Sequence, residues 1–131
     1  MLRRAVIQAL KAVALLGGRA YEAFLAPSDV GKPYATVKIP DVIGDPVIGY
    51  AGTQPVEIYL YADPYSFIPL DDVEAAVMAA LNRQDVVDAM TGHLFHVEWT
   101  PGGGDFADDV KRLIGRLVRF EAAVVHEPGG G

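Results

Sequence analysis

The residues that could best support ligand binding or catalysis lie in Thr100–Arg112, TPGGGDFADDVKR. Three glycines followed by Asp105, Asp108 and Asp109 suggest a phosphate-binding or a metal-binding loop. A phosphate loop needs a Lys-Ser or Lys-Thr pair before a helix, and carboxylates here would repel the anion. A calcium loop needs oxygen ligands at fixed alternation and a later glutamate, which this stretch lacks. The sequence therefore predicts a mobile, solvated loop between two strands, suited to ordering against a partner.

The histidines and serines form no catalytic or metal-binding pattern. His93 and His96 are three positions apart on a predicted strand, so they would point to opposite faces. The chain has no cysteine, which excludes disulfides and thiolate metal ligands. Ser28 and Ser66 do not lie in a nucleophile elbow. We therefore predict no metal, no cofactor and no serine nucleophile.

Glutamates in predicted strands offer weak support for acid–base chemistry. Glu57, Glu98 and Glu121 could act together only if they met in a cleft. Strand glutamates more often pair with cationic neighbours, here Lys38 or Arg119. The sequence favours a protein that is not an enzyme.

The aromatic residues Tyr59, Tyr61 and Tyr65, with Phe67 close by, suggest a binding surface. They could line a sugar or base site, or belong to a protein interface, where aromatic residues are enriched. The interface is favoured because no cationic groove accompanies them in the sequence. A small-molecule-binding or hydrolytic domain using Tyr59, Tyr61 and Glu57 is the alternative from another functional class.

Two helices are predicted from apolar spacing. The first spans the N-terminal residues and ends at Gly17-Gly18; its two early arginines also leave a short signal peptide open as an alternative. The second begins near Pro69, carries Asp71 and Asp72 at its positive end, and stops at Asn82. The apolar stripes are Leu2, Val6, Ala9, Leu10, Val13 and Leu16 in the first, and Leu70, Val73, Val77, Ala80 and Leu81 in the second.

Strands are predicted from alternation and β-propensity. They are a short strand around Tyr21 and Glu22, then Tyr34–Ile39, Val56–Asp63, His93–Thr100 and Arg116–Val125. Residues 108–115 fit either a helix or a strand and stay open. Asp85 is predicted to cap one short helical turn.

These elements predict an α+β domain: an antiparallel or mixed sheet of about four to five strands with two main helices packed on one face. We predict a single domain over residues 1–125 and a flexible C-terminal tail at 126–131. The turn-rich segment Asp41–Pro55 is predicted to be a hairpin arm or extended loop. It carries apolar residues suited to assembly, which are Ile43, Val47 and Ile48.

The amino-acid composition limits the kinds of partner that the protein can bind. The chain has 131 residues, 51% of them hydrophobic, and a formal net charge of −6. Nucleic-acid binding needs clustered Lys and Arg, and an anionic membrane surface attracts basic segments. The acidic balance therefore argues against free nucleic acid and against a membrane as direct partners.

The order of elements resembles the tail terminator (tail completion) proteins of long-tailed bacteriophages and the related neck components. The segments that carry the resemblance are KPYATVKI, VEIYLYADPYS, the helix PLDDVEAAVMAALN, HLFHVEWT, the acidic GGGDFADD and the terminal GRLVRFEAAVV. Together with the first helix they extend over nearly the whole chain, from about Leu2 to Val125.

The resemblance implies a structural virion protein at the tail or neck, assembled in the host cytoplasm. Such proteins form rings, here hexameric by analogy, on the last ring of the tail tube, stop tube growth and join the head. The implied partners are further copies of the chain, the tail-tube protein and neck or connector proteins. DNA would pass through such a ring without being held. Another head-completion or tail-tube protein is the alternative within this class, and the candidate interface residues are Tyr59, Tyr61, Tyr65, Asp105, Phe106, Asp108 and Asp109, with the three apolar residues of Asp41–Pro55.

Overall fold

The computed structural model describes residues 2–40 and 53–126, which contain two α-helices and six strands. Helix α1 spans Leu2–Lys11, a 3₁₀ turn follows at Ala14–Leu16, and helix α2 spans Ile68–Leu81. The strands are β1 Ala20–Glu22, β2 Tyr34–Lys38, β3 Gln54–Ala62, β4 Gln84–Val87, β5 Leu94–Asp108 and β6 Leu113–His126. Over the same two ranges, none of the helices is long and apolar enough to cross a membrane.

All six strands join one sheet in the order β1-β2-β3-β6-β5-β4. Strand β1 runs parallel to β2, and every other neighbouring pair is antiparallel. Helix α1 contacts both edge strands, β1 and β4, so the sheet curls around it. The α+β class and the mixed sheet are confirmed.

The core lies between the helices and one face of the sheet. Alternate residues of β3, including Ile58 and Leu60, are fully buried, and Ile58 is aligned with Val37 on one side and Val118 on the other. Helix α2 contributes Leu70, Val73, Val77 and Leu81, and α1 contributes Leu2, Ala5, Val6 and Leu10. Burying a Val, Leu or Ile side chain stabilises the fold by about 1.5–3 kcal/mol, so this cluster holds both helices in place.

The predicted strand count of four to five was wrong, because the sheet has six. The additional strand is β4, a segment in which we expected a helical turn capped by Asp85. Val86 and Val87 are β-branched and align with Phe95 and Leu94 of β5. Pairing with β5 buries Val86, and this tertiary contact outweighs the weak local capping signal.

The glycine-rich segment was predicted to be a mobile loop, and this was wrong as well. Pro101–Asp108 belongs to β5 and pairs with β6, with a register shift between Thr100 and Gly104. The connection between the strands is the short turn 109–112. A residue larger than glycine at Gly103 would overlap the backbone of Leu117, so this glycine allows the irregular strand to approach its partner. The open question over residues 108–115 is answered, since β6 begins at Leu113.

Candidate functional site

The second face of the sheet, which we call the open face, is not covered by α1 or α2. Its cross-strand rungs from β2 to β3 are Tyr34 with Tyr61, Thr36 with Tyr59, and Lys38 with Glu57. Because side chains alternate along a strand, these residues all project to the side opposite the core. The open face thus has an aromatic end and a charged end.

The aromatic end is a packed cluster of four rings. Tyr34 and Tyr61 stack with centroids 4.8 Å apart, and the edge of Phe106 meets Tyr61 at 5.8 Å and Tyr59 at 6.1 Å. Phe106 is aligned with Gly115 on β6, which lies between it and β3. A side chain at Gly115 would overlap the ring of Phe106, so glycine is what lets this ring reach the tyrosines.

A groove of about 280 Å³ runs beside this cluster. We call it the aromatic groove, and its principal lining residues are Phe24, Tyr34, Tyr59, Tyr61, Lys38 and Lys111. Phe24 is 90% exposed and adopts a left-handed backbone conformation with φ of 69°. An exposed aromatic side chain in this sparsely populated conformation is typical of binding segments, because neither burial nor local geometry favours it.

Lysines gather around the aromatic groove. The chain has four lysines, at positions 11, 32, 38 and 111. Lys38 and Lys111 line the groove, and Lys32 lines an adjoining hollow of about 320 Å³ that shares Tyr34 and Lys111 with it. Two lysines, Lys38 and Lys111, thus accompany the tyrosines at the groove, which the sequence did not indicate, and Asp108 lines the groove as well.

The charged end of the open face carries more carboxylates than cations. Glu57 pairs with Arg119 at 3.8 Å, and Glu98 lies directly opposite Glu121. His96 binds Asp85 through Nδ1 at 2.8 Å and Glu98 through Nε2 at 3.3 Å. The bond to Asp85, and then the bond to Glu98, raise the pKa of His96 above its ordinary value.

The residues considered for catalysis are not arranged for acid–base chemistry. The Tyr59 hydroxyl donates to Glu57 at 3.3 Å, and Arg119 neutralises the same carboxylate. Burial raises the pKa of Tyr34, Tyr59 and Tyr61, so their hydroxyls stay protonated near neutral pH. These protonated hydroxyls supply no base, and that of Tyr59 already donates to Glu57.

The two histidines of interest lie apart. His93 contacts Thr91 and stacks on Phe95, whereas His96 lies on the open face between carboxylates. Within residues 2–40 and 53–126, no group of three or more His, Cys, Asp or Glu side chains is arranged to hold a metal ion.

Asp105 is engaged inside the molecule. On the helix-covered face, Arg116 of β6 pairs with Asp105 of β5, and it also pairs with Asp71 at 2.7 Å and Glu74 at 3.2 Å on α2. The Arg116 side chain is only 13% exposed. Its three carboxylate partners more than neutralise its single positive charge, and the ion pairs tie α2 to the β5–β6 hairpin.

The other predicted interface residues are dispersed. Asp108 lines the aromatic groove and accepts a hydrogen bond from the backbone N–H of Lys111 at 3.0 Å, which shapes the hairpin turn. Asp109 is exposed in that turn, and Tyr65 is 90% exposed in the loop before α2. Ile43, Val47 and Ile48 lie outside the described residues.

Sequence reasoning missed a buried polar cluster that anchors α1. The Asp88 carboxylate is fully buried and accepts hydrogen bonds from Arg4 Nε at 2.6 Å and Arg4 Nη2 at 2.7 Å. Thr91 Oγ1 donates to it at 2.8 Å and the Met90 N–H at 3.1 Å. The hydrogen bonds from Arg4, above all, hold the pKa of Asp88 well below its usual range. No sequence spacing joins Arg4 to Asp88, because they are 84 positions apart.

The fold has a solved counterpart. A chain from the virion of a native gene transfer agent particle matches it with a TM-score of 0.70 and 23% identity, over 94% of this chain and 93% of that one. At this identity the likeness establishes the shared fold. No protein-family model and no curated protein sequence matches the chain.

Proposed function

We propose that this chain is a structural subunit of a phage-like virion that caps the tail tube as a ring, ends tube elongation and joins the tail to the head. The observation that carries the proposal is the match to a chain of a gene transfer agent virion, which extends over almost the full length of both chains. A match restricted to one motif would support only a shared local structure. The order of elements in the sequence supports the same assignment independently.

The ring is proposed to be hexameric, and its neighbours to be the tail-tube protein and neck or connector proteins. A ring of identical subunits needs a head-to-tail contact whose rotation closes. The exposed side chains suit such contacts, since Phe24, Tyr65 and Val110 are each at least 90% exposed. Aromatic residues of this kind are enriched where proteins meet. Another neck component or a tail-tube subunit is supported by the same structural match and is the second candidate.

The open face is compatible with DNA passing by without being held. Its charged end presents Glu57, Glu98, Glu121 and Asp85 against Arg119, Lys38 and His96. Carboxylates repel phosphates, so a channel lined by them would let the duplex slide. The proposed role is structural, with no substrate transformed.

Light scattering of the purified protein over a concentration series, followed by negative-stain electron microscopy, tests the proposal. We expect ring-shaped oligomers, or attachment to the ends of isolated tail tubes and termination of tube growth when the protein is added. A protein that stays monomeric at all concentrations and does not bind tube ends would contradict the assignment. Rings that bind along tubes and extend them would favour the tail-tube alternative.

A further inference from the structure

The loop that leads into α2 presents an apolar projection. Tyr65 is 90% exposed, Ile68 67% and Phe67 41%, and we call these three residues the apolar knob. Three large apolar side chains within four positions are thus exposed to water, which disfavours such exposure. Contact with another protein would remove these side chains from water.

Local hydrogen bonds fix the shape of the apolar knob. The Tyr65 N–H donates to the Asp63 carbonyl at 2.9 Å, and the Ile68 N–H donates to Ser66 Oγ at 3.1 Å. Pro64 and Pro69 further restrict the backbone on either side. A preformed segment loses little conformational entropy when it binds, so the knob is suited to insertion into a hollow.

An acidic residue beside the apolar knob is opposite in charge to the two lysines of the aromatic groove. Three acids flank the knob, but Asp63 lies 3.9 Å from Lys32 and Asp71 lies 2.7 Å from Arg116 of the same chain, so the inference depends on Asp72. Asp72 lies one helical turn after Ile68 and is exposed on α2, so it shares a face with the knob. Lys38 and Lys111 line the groove together with one acid, Asp108. Opposed charges of this kind orient an encounter and exclude wrong partners.

We infer that the apolar knob of one copy docks in the aromatic groove of the next copy, with Asp72 facing Lys111. The inference rests on the proposed function, since it names the contact by which subunits of the ring would join. The two surfaces differ from each other, so the contact is head-to-tail and can be repeated from copy to copy. Phe24, exposed at the groove, would close over the inserted side chains.

A second copy fits the groove better than nucleic acid does. Bases stack on free aromatic faces, but Tyr34 and Tyr61 already stack on each other and Tyr34 is only 5% exposed. The chain carries a net charge of −6, which opposes the approach of a polyanion. An acidic apolar segment of a second copy could bind through the tyrosine hydroxyls, the lysines and Phe24, and it would not need a free ring face for stacking.

Cysteine cross-linking tests the contact directly, because the chain contains no cysteine. Two single-cysteine variants, Tyr65→Cys and Lys111→Cys, are mixed and oxidised under conditions in which the protein assembles. We expect a disulfide-linked dimer from the mixture, and little from either variant alone. Lys11→Cys, at the lysine that lies outside the groove on α1, replaces Lys111→Cys as the matched control and should give no cross-link with Tyr65→Cys.

Charge reversal gives a second test by sedimentation or light scattering. Lys111→Glu and Asp72→Lys should each weaken association about tenfold or more, and the double variant should recover most of the loss. Lys11→Glu should leave association unchanged. Circular dichroism of each variant checks that the fold is retained.

The outcomes separate this inference from the proposed function. Rings that form normally, but without a cross-link between the Tyr65→Cys and Lys111→Cys variants and without an effect of Lys111→Glu, would overturn the inference and leave the ring intact. A single-stranded oligonucleotide whose binding is abolished by Lys111→Glu while assembly is unaffected would also overturn it and assign the groove to nucleic acid. A chain that never self-associates would overturn both.

Discussion

The two faces of the sheet are built from neighbouring residues of the same strands, yet they differ in what they are built to contact. On the helix-covered face, Val56, Ile58 and Leu60 are fully buried, and α1 and α2 complete a continuous apolar core. On the open face, the intervening residues Glu57, Tyr59 and Tyr61 are only partly buried and keep polar groups accessible. The comparison indicates that the buried apolar area lies mainly on one face, and the role of the other face in recognition is our proposal.

The largest expected effect is a difference in the free energy of unfolding between substitutions on the two faces. Phe120→Ala removes a fully buried ring from the covered face and should lower the free energy of unfolding by about 3–5 kcal/mol. Phe106→Ala on the open face removes a partly exposed ring and should cost about 1–2 kcal/mol. Urea titrations followed by fluorescence of the single tryptophan, Trp99, measure both. Equal losses would contradict the division between the faces.

The next effect concerns the buried carboxylate that anchors α1. The pKa of Asp88 is lower in the folded protein than the unfolded value of about 3.9, so its contribution to stability is present above that pH. The contribution is lost as pH falls through the folded pKa. Asp88→Asn should therefore lower the melting temperature clearly at pH 7 and progressively less in acid.

Thermal melts of wild type and Asp88→Asn from pH 7 to pH 2 check this expectation. The matched control is Asp109→Asn, because Asp109 is exposed in the hairpin turn. A difference between wild type and Asp88→Asn that stays constant over this range would show that the ionised carboxylate is not what stabilises α1.

A smaller effect is expected where glycine supports the aromatic cluster. Gly115→Ala places a methyl group against the Phe106 ring and should destabilise the fold by about 1–3 kcal/mol. Gly104→Ala is the matched control, because a methyl group there meets no atom within 4 Å and its effect should be small. The double variant Gly115→Ala with Phe106→Ala should lose less stability than the sum of the two single variants, because the clash is removed. Strict additivity in urea titrations would rule out this packing arrangement.

The smallest effect is expected at the charged end of the open face. The pKa of His96 is raised by Asp85 and Glu98, so its stabilising charge is present below the ordinary value of about 6.5 and lost as pH rises through the folded pKa. The group is exposed, so solvent screens the effect. Melts at pH 5.5 and pH 8.5 should show a slightly smaller pH dependence for His96→Asn than for wild type, and a larger dependence in the variant would contradict the arrangement.

The sequence predicted the local elements that have strong patterns. Helix α2 begins at Ile68, next to Pro69, and ends at Leu81 with Asn82 as its C-cap, as the dipole and stop signals indicated. The alternation of Val56–Asp63 predicted β3 and its buried face. These predictions succeeded because a helix or strand that packs on one side must repeat its apolar residues with its own period.

The incorrect predictions for β4 and for the glycine-rich segment have a common physical cause. Strand β4 and the glycine-rich part of β5 have weak local patterns, and pairing with a neighbouring strand decides their conformation. For Gly103, the close approach of the Leu117 backbone required a glycine, whereas the sequence showed only a flexible residue. Local propensity does not report the partner that a segment will find in the folded chain.

The candidate interface was predicted in part. The sequence identified the tyrosines and the acidic segment as unusual, and the roles proposed for them in assembly stay predictions. It did not indicate that Asp105 would pair with Arg116, or that Lys111 would lie beside Tyr34. The first combination arises when β5 pairs with β6, and the second when β6 pairs with β3 in the same sheet as β2.

By itself, the sequence determined the main buried residues of α1, α2 and β3 and that the chain is an acidic α+β protein, because periodicity and composition are local properties of the chain. The tertiary structure alone decided the sixth strand, the Arg4–Asp88 anchor and the meeting of lysines with tyrosines at one groove. Each of these depends on contacts between residues far apart in the chain. Such contacts stabilise the protein only after the sheet has folded around α1. A single stretch of sequence therefore does not reveal them.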